Sequence, residues 1–396
     1  MNDDFRLTIR NLNLKSVFVN HHSKIKNMNR YLLIGILIFI NSQVFAQSND
    51  SWPIFRGDQN LKGLANTTIP NSPKLLWTFE TGDNIKSAPV VANGKVVIGS
   101  TDGFVYCLDT NGKLLWKFDT GNVIEAPALI LKNVIYVGNL DGTLFALDLN
   151  SGKKLWEYET DNQIIGSANW WTDGDTTSIL VGSYDYYLHC VDSKTGKVRW
   201  KYESDNFING AATCTDGAAF FGGCDGYLHM VDIASGQMVK KIDVATYVAG
   251  STTVTDGNAY IGDYDGRFFK VDIASDKTLW EWEHETTKLQ FIASPALIGN
   301  KVLTANHNKF LYCFDKNNGK KLWEYNTGKH VEASPVIVKD KVIVANMRGD
   351  LAIVNLSDGK VVWSYEIGSQ IISNPAVAAG KIFVGAYDGN VYCFGK

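Results

Sequence analysis

From residue 77 onward the chain alternates short apolar runs with polar turns, and the alternation itself repeats. One unit reads Ala88-Pro89-Val90-Val91, the turn Asn93-Gly94, Lys95-Val96-Val97-Ile98-Gly99, the turn Asp102-Gly103, and Phe104-Val105-Tyr106-Cys107-Leu108. Runs rich in β-branched and aromatic residues, bounded by Asn, Asp and Gly, read as strands joined by tight hairpins. Two-residue primed turns need positive φ, which these turn residues tolerate. A nonapeptide, Leu108-Asp109-Thr110-Asn111-Gly112-Lys113-Leu114-Leu115-Trp116, leads into a fourth run ending at Lys117-Phe118. It returns as Leu147 to Trp156, Val191 to Trp200, Phe314 to Trp323 and Val354 to Trp363, and in weaker form as Val231 to Lys240 and Val271 to Trp280.

Aligning on the tryptophan gives positions 77, 116, 156, 200, 240, 280, 323 and 363, with lysine at 240. Intervals near forty residues fit four-stranded propeller blades. One such sheet cannot bury both faces alone, and a ring of sheets solves this while leaving only short edges. The fold class predicted is all-β, an eight-bladed β-propeller. The last unit, ending at Phe394-Gly395-Lys396, lacks an outer strand, whereas Lys74-Leu75-Leu76-Trp77-Thr78-Phe79 is an outer strand without a blade. Closure is therefore expected between residues 74–80 and 374–394.

The recurrent tryptophans, Trp77, Trp116, Trp156, Trp200, Trp280, Trp323 and Trp363, are read as docking residues. Each indole buries a large apolar area, and its N–H needs one partner, which a turn carbonyl of the next blade can supply. The recurrent Asp109, Asp148, Asp192, Asp232, Asp272 and Asp315 are read as turn formers. Blades 3 to 7 depart from the pattern. Blade 3 carries an insertion at 173–178, blade 4 has Lys240 for Trp and blade 5 has Asp276 for Gly. Blade 6 has Asn308-Lys309 for Asp-Gly, and blade 7 has Arg348-Gly349 and Asn355.

The N-terminus changes the picture of where the protein works. Residues 31–40 are an apolar run too short to span a bilayer, which needs about 20 residues. With Met28-Asn29-Arg30 before it and Val44-Phe45-Ala46 after, it has the layout of a signal peptide. The expected organisation is a leader at 1–46 (signal peptide at about 28–46), an N-terminal segment and linker at 47–73, and one propeller at 74–396. Trp52-Pro53-Ile54-Phe55-Arg56-Gly57 is expected to pack on the ring, and residues 64–73 to be a linker. An exported chain, periplasmic or secreted, with no transmembrane segment after cleavage, is the localisation expected. Six of the 38 Lys/Arg and two of the 41 Asp/Glu fall within residues 1–46, which leaves 32 against 39 and a net charge of −7. That balance does not suit nucleic acid, which calls for a basic stripe.

Candidate chemistry is sparse. The six cysteines are 107, 190, 214, 224, 313 and 393, with no CxxC or adjacent pair, and are read as buried packing residues. No G-x-S-x-G, P-loop, H-E-x-x-H or dinucleotide fingerprint is present. The loops from outer to inner strand share one face with the turns at Asp102, Asp141, Asp185, Asp225, Asp265 and Asp388. On that face Lys86, Glu125, Lys288, His330 and Glu332 are candidates for the mouth of the central channel, a natural ligand position on a rigid frame. Tyr184, Tyr264, Tyr387 and His307 stand beside the turns. His189 and His229 are read as partly buried packing residues. Trp170 and Trp171 are a candidate exposed aromatic platform for sugar or protein. No catalytic, cofactor-binding or metal-binding residue is assigned.

The unit Asp-x-x-x-Gly-Lys-x-x-Trp, with Ala-Pro-x-Val and Gly-x-x-Asp-Gly, resembles the PQQ-type β-propeller repeats, and residues 52–63 resemble the segment that opens many such proteins. One branch of that family, the quinoprotein dehydrogenases, implies a pyrroloquinoline quinone over calcium beneath an adjacent-Cys disulfide, and this chain lacks such a pair. The compact exported branch is similar in length and in its lack of insertions; it includes the propeller subunit of the outer-membrane β-barrel assembly machine. The lipid-anchor cysteine of that subunit is absent here, where Gln47 follows Ala46. The function expected is that of a non-catalytic scaffold that binds protein or polysaccharide through its loop face, with no cofactor, and a monomer is the simplest state. The competing expectation is a quinone- and calcium-dependent oxidoreductase of alcohols or sugars.

Overall fold

A computed structural model of the chain describes residues 50–396; the leader expected at 1–46 lies outside them. Among the described residues, thirty-two strands form eight four-stranded antiparallel sheets, the blades of a propeller, and a two-residue strand at Leu64–Ala65 joins one of them in parallel. Blade 1 is typical. Its strands are Val90–Ala92, Lys95–Gly99, Phe104–Asp109 and Leu114–Asp119, from the channel outward. Asn93 and Gly94 join the first two with φ of 52° and 72°, the positive pair that the hairpin motif requires. Lys74–Glu80 pairs with Asn390–Gly395 and supplies the outer strand of blade 8, with Trp77 opposite Cys393. The ring closes where the sequence predicts.

Burial follows radius. The second and third strands are covered on both faces by neighbouring blades and are almost wholly buried, whereas outer strands alternate exposed and half-buried residues. Each outer strand carries a register shift just before the docking residue; in blade 1, Cys107 faces Trp116 while Leu108 faces Leu114. A bulge of this kind re-aims the side chain that follows, here across the seam. Five of the cysteines fill the spaces between sheets, whereas Cys224 departs from the expectation: it lies half-buried in the second-to-third turn of blade 4, where its Sγ accepts from Asn209 Nδ2 at 3.1 Å. All six are free thiols, five of them buried, and burial pushes the Cys107 thiol up to about 12.

The seams are as expected at six positions. The indole N–H groups of Trp77, Trp116, Trp156, Trp200, Trp280 and Trp323 each donate to a backbone carbonyl in the third-to-outer turn of the next blade, at 2.9–3.1 Å. The ring then lies on the turn glycine: a Cβ at Gly152 would sit 2.7 Å from the Trp116 ring. At the seam of blades 4 and 5 both partners change. Lys240 Nζ donates to the carbonyls of Ile273 (2.7 Å) and Ala274 (2.8 Å) and to Asp276 Oδ1 (2.6 Å). Two separate departures from the repeat are therefore one contact. Trp363 faces blade 8, whose third and outer strands come from opposite ends of the chain, so no turn stands opposite; it packs on Phe394 instead.

The segment before the propeller is a plug. Trp52 exchanges backbone hydrogen bonds with Val91 of blade 1, and the Pro53 carbonyl accepts from Ile130 of blade 2. The Gln59 carbonyl accepts from Asn169 Nδ2 of blade 3 and from the Cys214 amide of blade 4, and the Leu61 carbonyl accepts from Thr253 Oγ1 of blade 5. Lys62 and Gly63 serve blades 6 and 7 in the same way, and Thr67 accepts from Gly380 of blade 8. Sixteen residues, 52–67, touch the inner end of every blade in turn. Arg56 is fully buried within the plug, where its guanidinium donates to the Pro335 and Pro295 carbonyls at 2.6 and 2.8 Å, and burial pulls its pKa down to about 9. Residues 64–73 are correspondingly more than a linker. Leu64–Ala65 adds to the innermost strand of blade 7, and Ala65, Thr67 and Ile69 are buried.

Candidate functional site

The channel is stoppered at one end and open at the other. The open end is a cavity of about 200 Å³ floored by Phe55. Its wall takes one residue from each blade, four positions before the inner strand: Lys86, Glu125, Ile165, Asn209, Ala249, Ile292, Glu332 and Ile372. Two positions further down lies a second, mostly small and polar ring that includes Ser167, Ser251, Ser294, Ser334 and Asn374. This second ring stitches the blades together. The amides of Ala211, Ser251 and Ser294 donate to the hydroxyls of Ser251, Ser294 and Ser334 at 2.8–2.9 Å, and the Ser334 amide donates to Asn374 Oδ1.

Three of the five charged candidates line this cavity, and they do so in pairs. Lys86 Nζ donates to Glu125 Oε1 at 2.6 Å, and that bond raises the lysine pKa. Glu332 Oε1 lies 3.2 Å from His307 Nε2, and His307 stacks on His330 with centroids 4.9 Å apart. Burial and the neighbouring imidazole and lysines lower the His330 pKa. Lys288 departs from the expectation: it turns outward to Glu283 at 2.8 Å and does not line the cavity. The extra residues between blades 5 and 6 lengthen that loop and carry the lysine away.

The rim is fixed by a repeated tie. In all eight blades the amide of the residue after the second strand's turn serine, asparagine or equivalent donates to the preceding outer-to-inner loop, from Thr101 on Asn84 to Tyr387 on Gln370, at 2.9–3.3 Å. On blades 3 to 5 this tie presents aromatic side chains. Tyr184 stacks on Phe207 at 4.6 Å, Tyr186 leans on Phe207 at 5.2 Å, and Tyr247 meets Tyr264 edge-on at 6.4 Å. Tyr186, Tyr247 and Tyr264 are 41–52% exposed. Sequence reasoning marked Tyr184 and Tyr264 as turn neighbours and missed Phe207 and Tyr247, which sit in the loop half of the tie.

Trp170 and Trp171 do not make one platform. Successive strand residues point to opposite faces, so Trp170 packs against the core shared with blade 2 and Trp171 against the core shared with blade 4. His189 and His229 are wholly buried and more than packing. Each bridges a tyrosine of the preceding blade and an aspartate of its own: Tyr158 and Asp185 for His189 (2.9 and 3.0 Å), Tyr202 and Asp225 for His229 (2.9 and 2.8 Å). Tyr106 uses the same geometry, donating to Asp102 at 2.6 Å, so the turn aspartates anchor third-strand side chains four residues on. Burial and this bond to a carboxylate push Tyr106 up to about 12.

Calcium finds no matching donor set at the mouth. Glu125 is bonded to Lys86 and Glu332 to His307, and among the described residues no group of three or more His, Cys, Asp or Glu side chains is placed to hold a metal ion.

Solved structures share the fold. BamB from Moraxella catarrhalis superposes with a TM-score of 0.69 at 21% identity, covering 82% of this chain and 98% of that one. A europium-containing methanol dehydrogenase gives 0.72 at 13% identity, covering 88% and 99%. The quinohemoprotein alcohol dehydrogenase from Comamonas testosteroni gives 0.73 at 14% identity, covering 90% and 82%. None of the curated proteins matches the chain in sequence. The sequence pattern of the family described as outer membrane protein assembly factor BamB matches residues 66–169 and 224–396, skipping much of blades 3 and 4. The matched residues make up well over half of the sequence, and the chain belongs to that family of PQQ-type propellers.

Proposed function

We propose that the protein is an exported, non-catalytic scaffold that binds a partner protein through the loop face around the channel mouth. The observation that carries this reading is the arc of exposed aromatics on three consecutive blades, with Tyr186, Tyr247 and Tyr264 held by backbone ties on a rigid ring. Tyrosine gives large, stiff contact area at low entropic cost, and aromatic residues are enriched at interface cores. Family membership and the likeness to BamB support export to the periplasm and a protein partner. The paired, mutually satisfied carboxylates at the mouth favour a binding surface over acid–base or metal chemistry there. A polysaccharide remains the second ligand class for the same aromatics. The redox alternative draws on the fold of the two dehydrogenases alone.

A photo-crosslinking residue placed at Tyr264 in cells of the native host is expected to trap one discrete partner, and the same residue at Leu155, on an exposed outer strand, is not. Equal labelling from both positions, or a bound chromophore with alcohol-dependent dye reduction after mixing with quinone and calcium, would overturn the scaffold reading.

A further inference from the structure

We infer that the face opposite the mouth carries a second binding site: a groove across blades 3 to 5 that takes an extended protein segment bearing a basic side chain next to an apolar one. Two cavities adjoin there at Asp216. One, of about 550 Å³, is lined by Trp171, Asp173, Arg199 and Asp232; the other, of about 410 Å³, has an apolar side formed by Phe220, Met230, Val254 and Ile273 and a polar side that includes Lys62 and Asp256. Both are of the size that takes a side chain and its flanking backbone.

Charge names the occupant. Arg199, the basic residue of the first cavity, is already bonded to Asp192. Asp173 and Asp216 are exposed and make no ion pair among the described residues. Asp232 spends its carboxylate on the Ser235 amide and hydroxyl. The cavity therefore holds unbalanced negative charge beside the half-buried ring of Trp171. An arginine or lysine entering it gains a carboxylate partner and a cation–π contact together. A neutral sugar would stack on the indole but would leave those carboxylates without a counter-charge. The apolar side of the neighbouring cavity, at Phe220, Met230, Val254 and Ile273, then receives the next same-side residue of an extended chain, since alternate side chains of a strand share a face.

The site arises where this chain departs from its repeat. The insertion at 173–178 lengthens the first hairpin of blade 3, Asn169–Asp173 and Thr176–Gly182, and brings Asp173 and Trp171 to the rim of the groove. It also falls in the stretch 170–223 that the family pattern does not match. The groove stands apart from the aromatic arc and does not depend on the reading given to it.

The test is fluorescence anisotropy with the intact protein and a fluorescein-labelled nonapeptide of alternating arginine and leucine. Saturable binding is expected, falling steeply between 0.05 and 0.5 M salt, as for exposed charge pairs at roughly a Debye length or less. Asp216→Asn and Asp173→Asn should each weaken binding about twofold to fivefold, the size of an exposed ion pair. Trp171→Phe, which keeps a ring to hold the fold, should weaken it less, and Tyr264→Ala on the opposite face should leave it unchanged. Unaltered affinity in Asp216→Asn and Asp173→Asn overturns the site. So does binding of maltohexaose that quenches Trp171 while the arginine peptide fails to bind. Loss of peptide binding in Tyr264→Ala would place the contact on the mouth face and overturn it as well.

Discussion

The seams on either side of blade 4 invert one another. Between blades 3 and 4 the Trp200 indole packs on Gly236 at the plugged face, and toward the mouth the buried relay Tyr202–His229–Asp225 crosses the seam. Between blades 4 and 5 the polar and apolar halves trade places. Lys240 and Asp276 meet where the indole and glycine would, and Ile242 and Phe269 fill the positions of the tyrosine and the histidine. In these two seams the bonds between side chains change ends, whereas between blades 1 and 2 both halves are aromatic, with Trp116 on Gly152 and Phe118 against Phe145. A propeller needs every neighbour pair to stick, and the repeat constrains the total across a seam rather than any single residue.

The largest effect should come from removing an indole. Trp116→Ala, which removes a half-buried indole packed on Gly152, is expected to destabilise the protein by about 3 kcal/mol, the low end of the range for large aromatics, measured by chaotrope unfolding. Next comes an attempt to convert the exceptional seam. Lys240→Trp should cost about 1–3 kcal/mol through overpacking, because a Cβ at the turn position lies 2.5–2.7 Å from the ring in the six indole seams and Asp276 has one. Adding Asp276→Gly should recover most of that loss. A double variant no more stable than Lys240→Trp alone would show that the two positions do not form one contact.

The relays give the comparison a pH axis. Burial alone would raise the pKa of Asp185 and Asp225, but the histidine hydrogen bonds and charge outweigh it and both end lowered. A carboxyl with a folded pKa below its unfolded value contributes stability that is complete above the unfolded pKa and is lost as pH falls through the folded one. Melting temperature should therefore drop on acidification below the ordinary carboxylate range. The slope should be shallower in the Asp185→Asn, Asp225→Asn double variant, whose starting value at neutral pH is lower. Parallel curves would mean that the relays stay intact in acid.

The ring itself was legible because its cause is local and periodic: hairpin dipeptides, a turn glycine and one indole per forty residues. Closure by residues 74–80 could be read by counting strands. The plug was legible only as apolar residues awaiting a surface, because its partners lie as far as 279 residues away for Arg56 and Pro335 and 313 for Thr67 and Gly380. The relays were written in the spacing of Asp185 with His189 and Asp225 with His229, four residues apart, and could have been found by comparing those units with Asp102 and Tyr106. The exchange of Lys240 for Trp and Asp276 for Gly was visible as two oddities. Only the indole-on-glycine geometry of the other seams says they belong together. The outward turn of Lys288 was not legible, since loop length alone does not give direction.

The smallest effect separates the bonds within the lysine seam. Lys240→Met keeps the aliphatic stem and removes the ammonium, leaving the Ile273 and Ala274 carbonyls and Asp276 without their donor. With Lys240 29% and Asp276 53% exposed at the side chain, water takes over part of each lost bond, and the cost should be on the order of 1 kcal/mol. Asp276→Asn removes only the ion pair and leaves both carbonyl bonds, so it should cost less than Lys240→Met and become indistinguishable from wild type in 1 M salt. Two of the three acceptors are backbone atoms of the turn, as in every indole seam, and it is the turn carbonyls that the lysine has inherited from tryptophan. Equal costs for the two substitutions would reverse that view and make the seam an ion pair first.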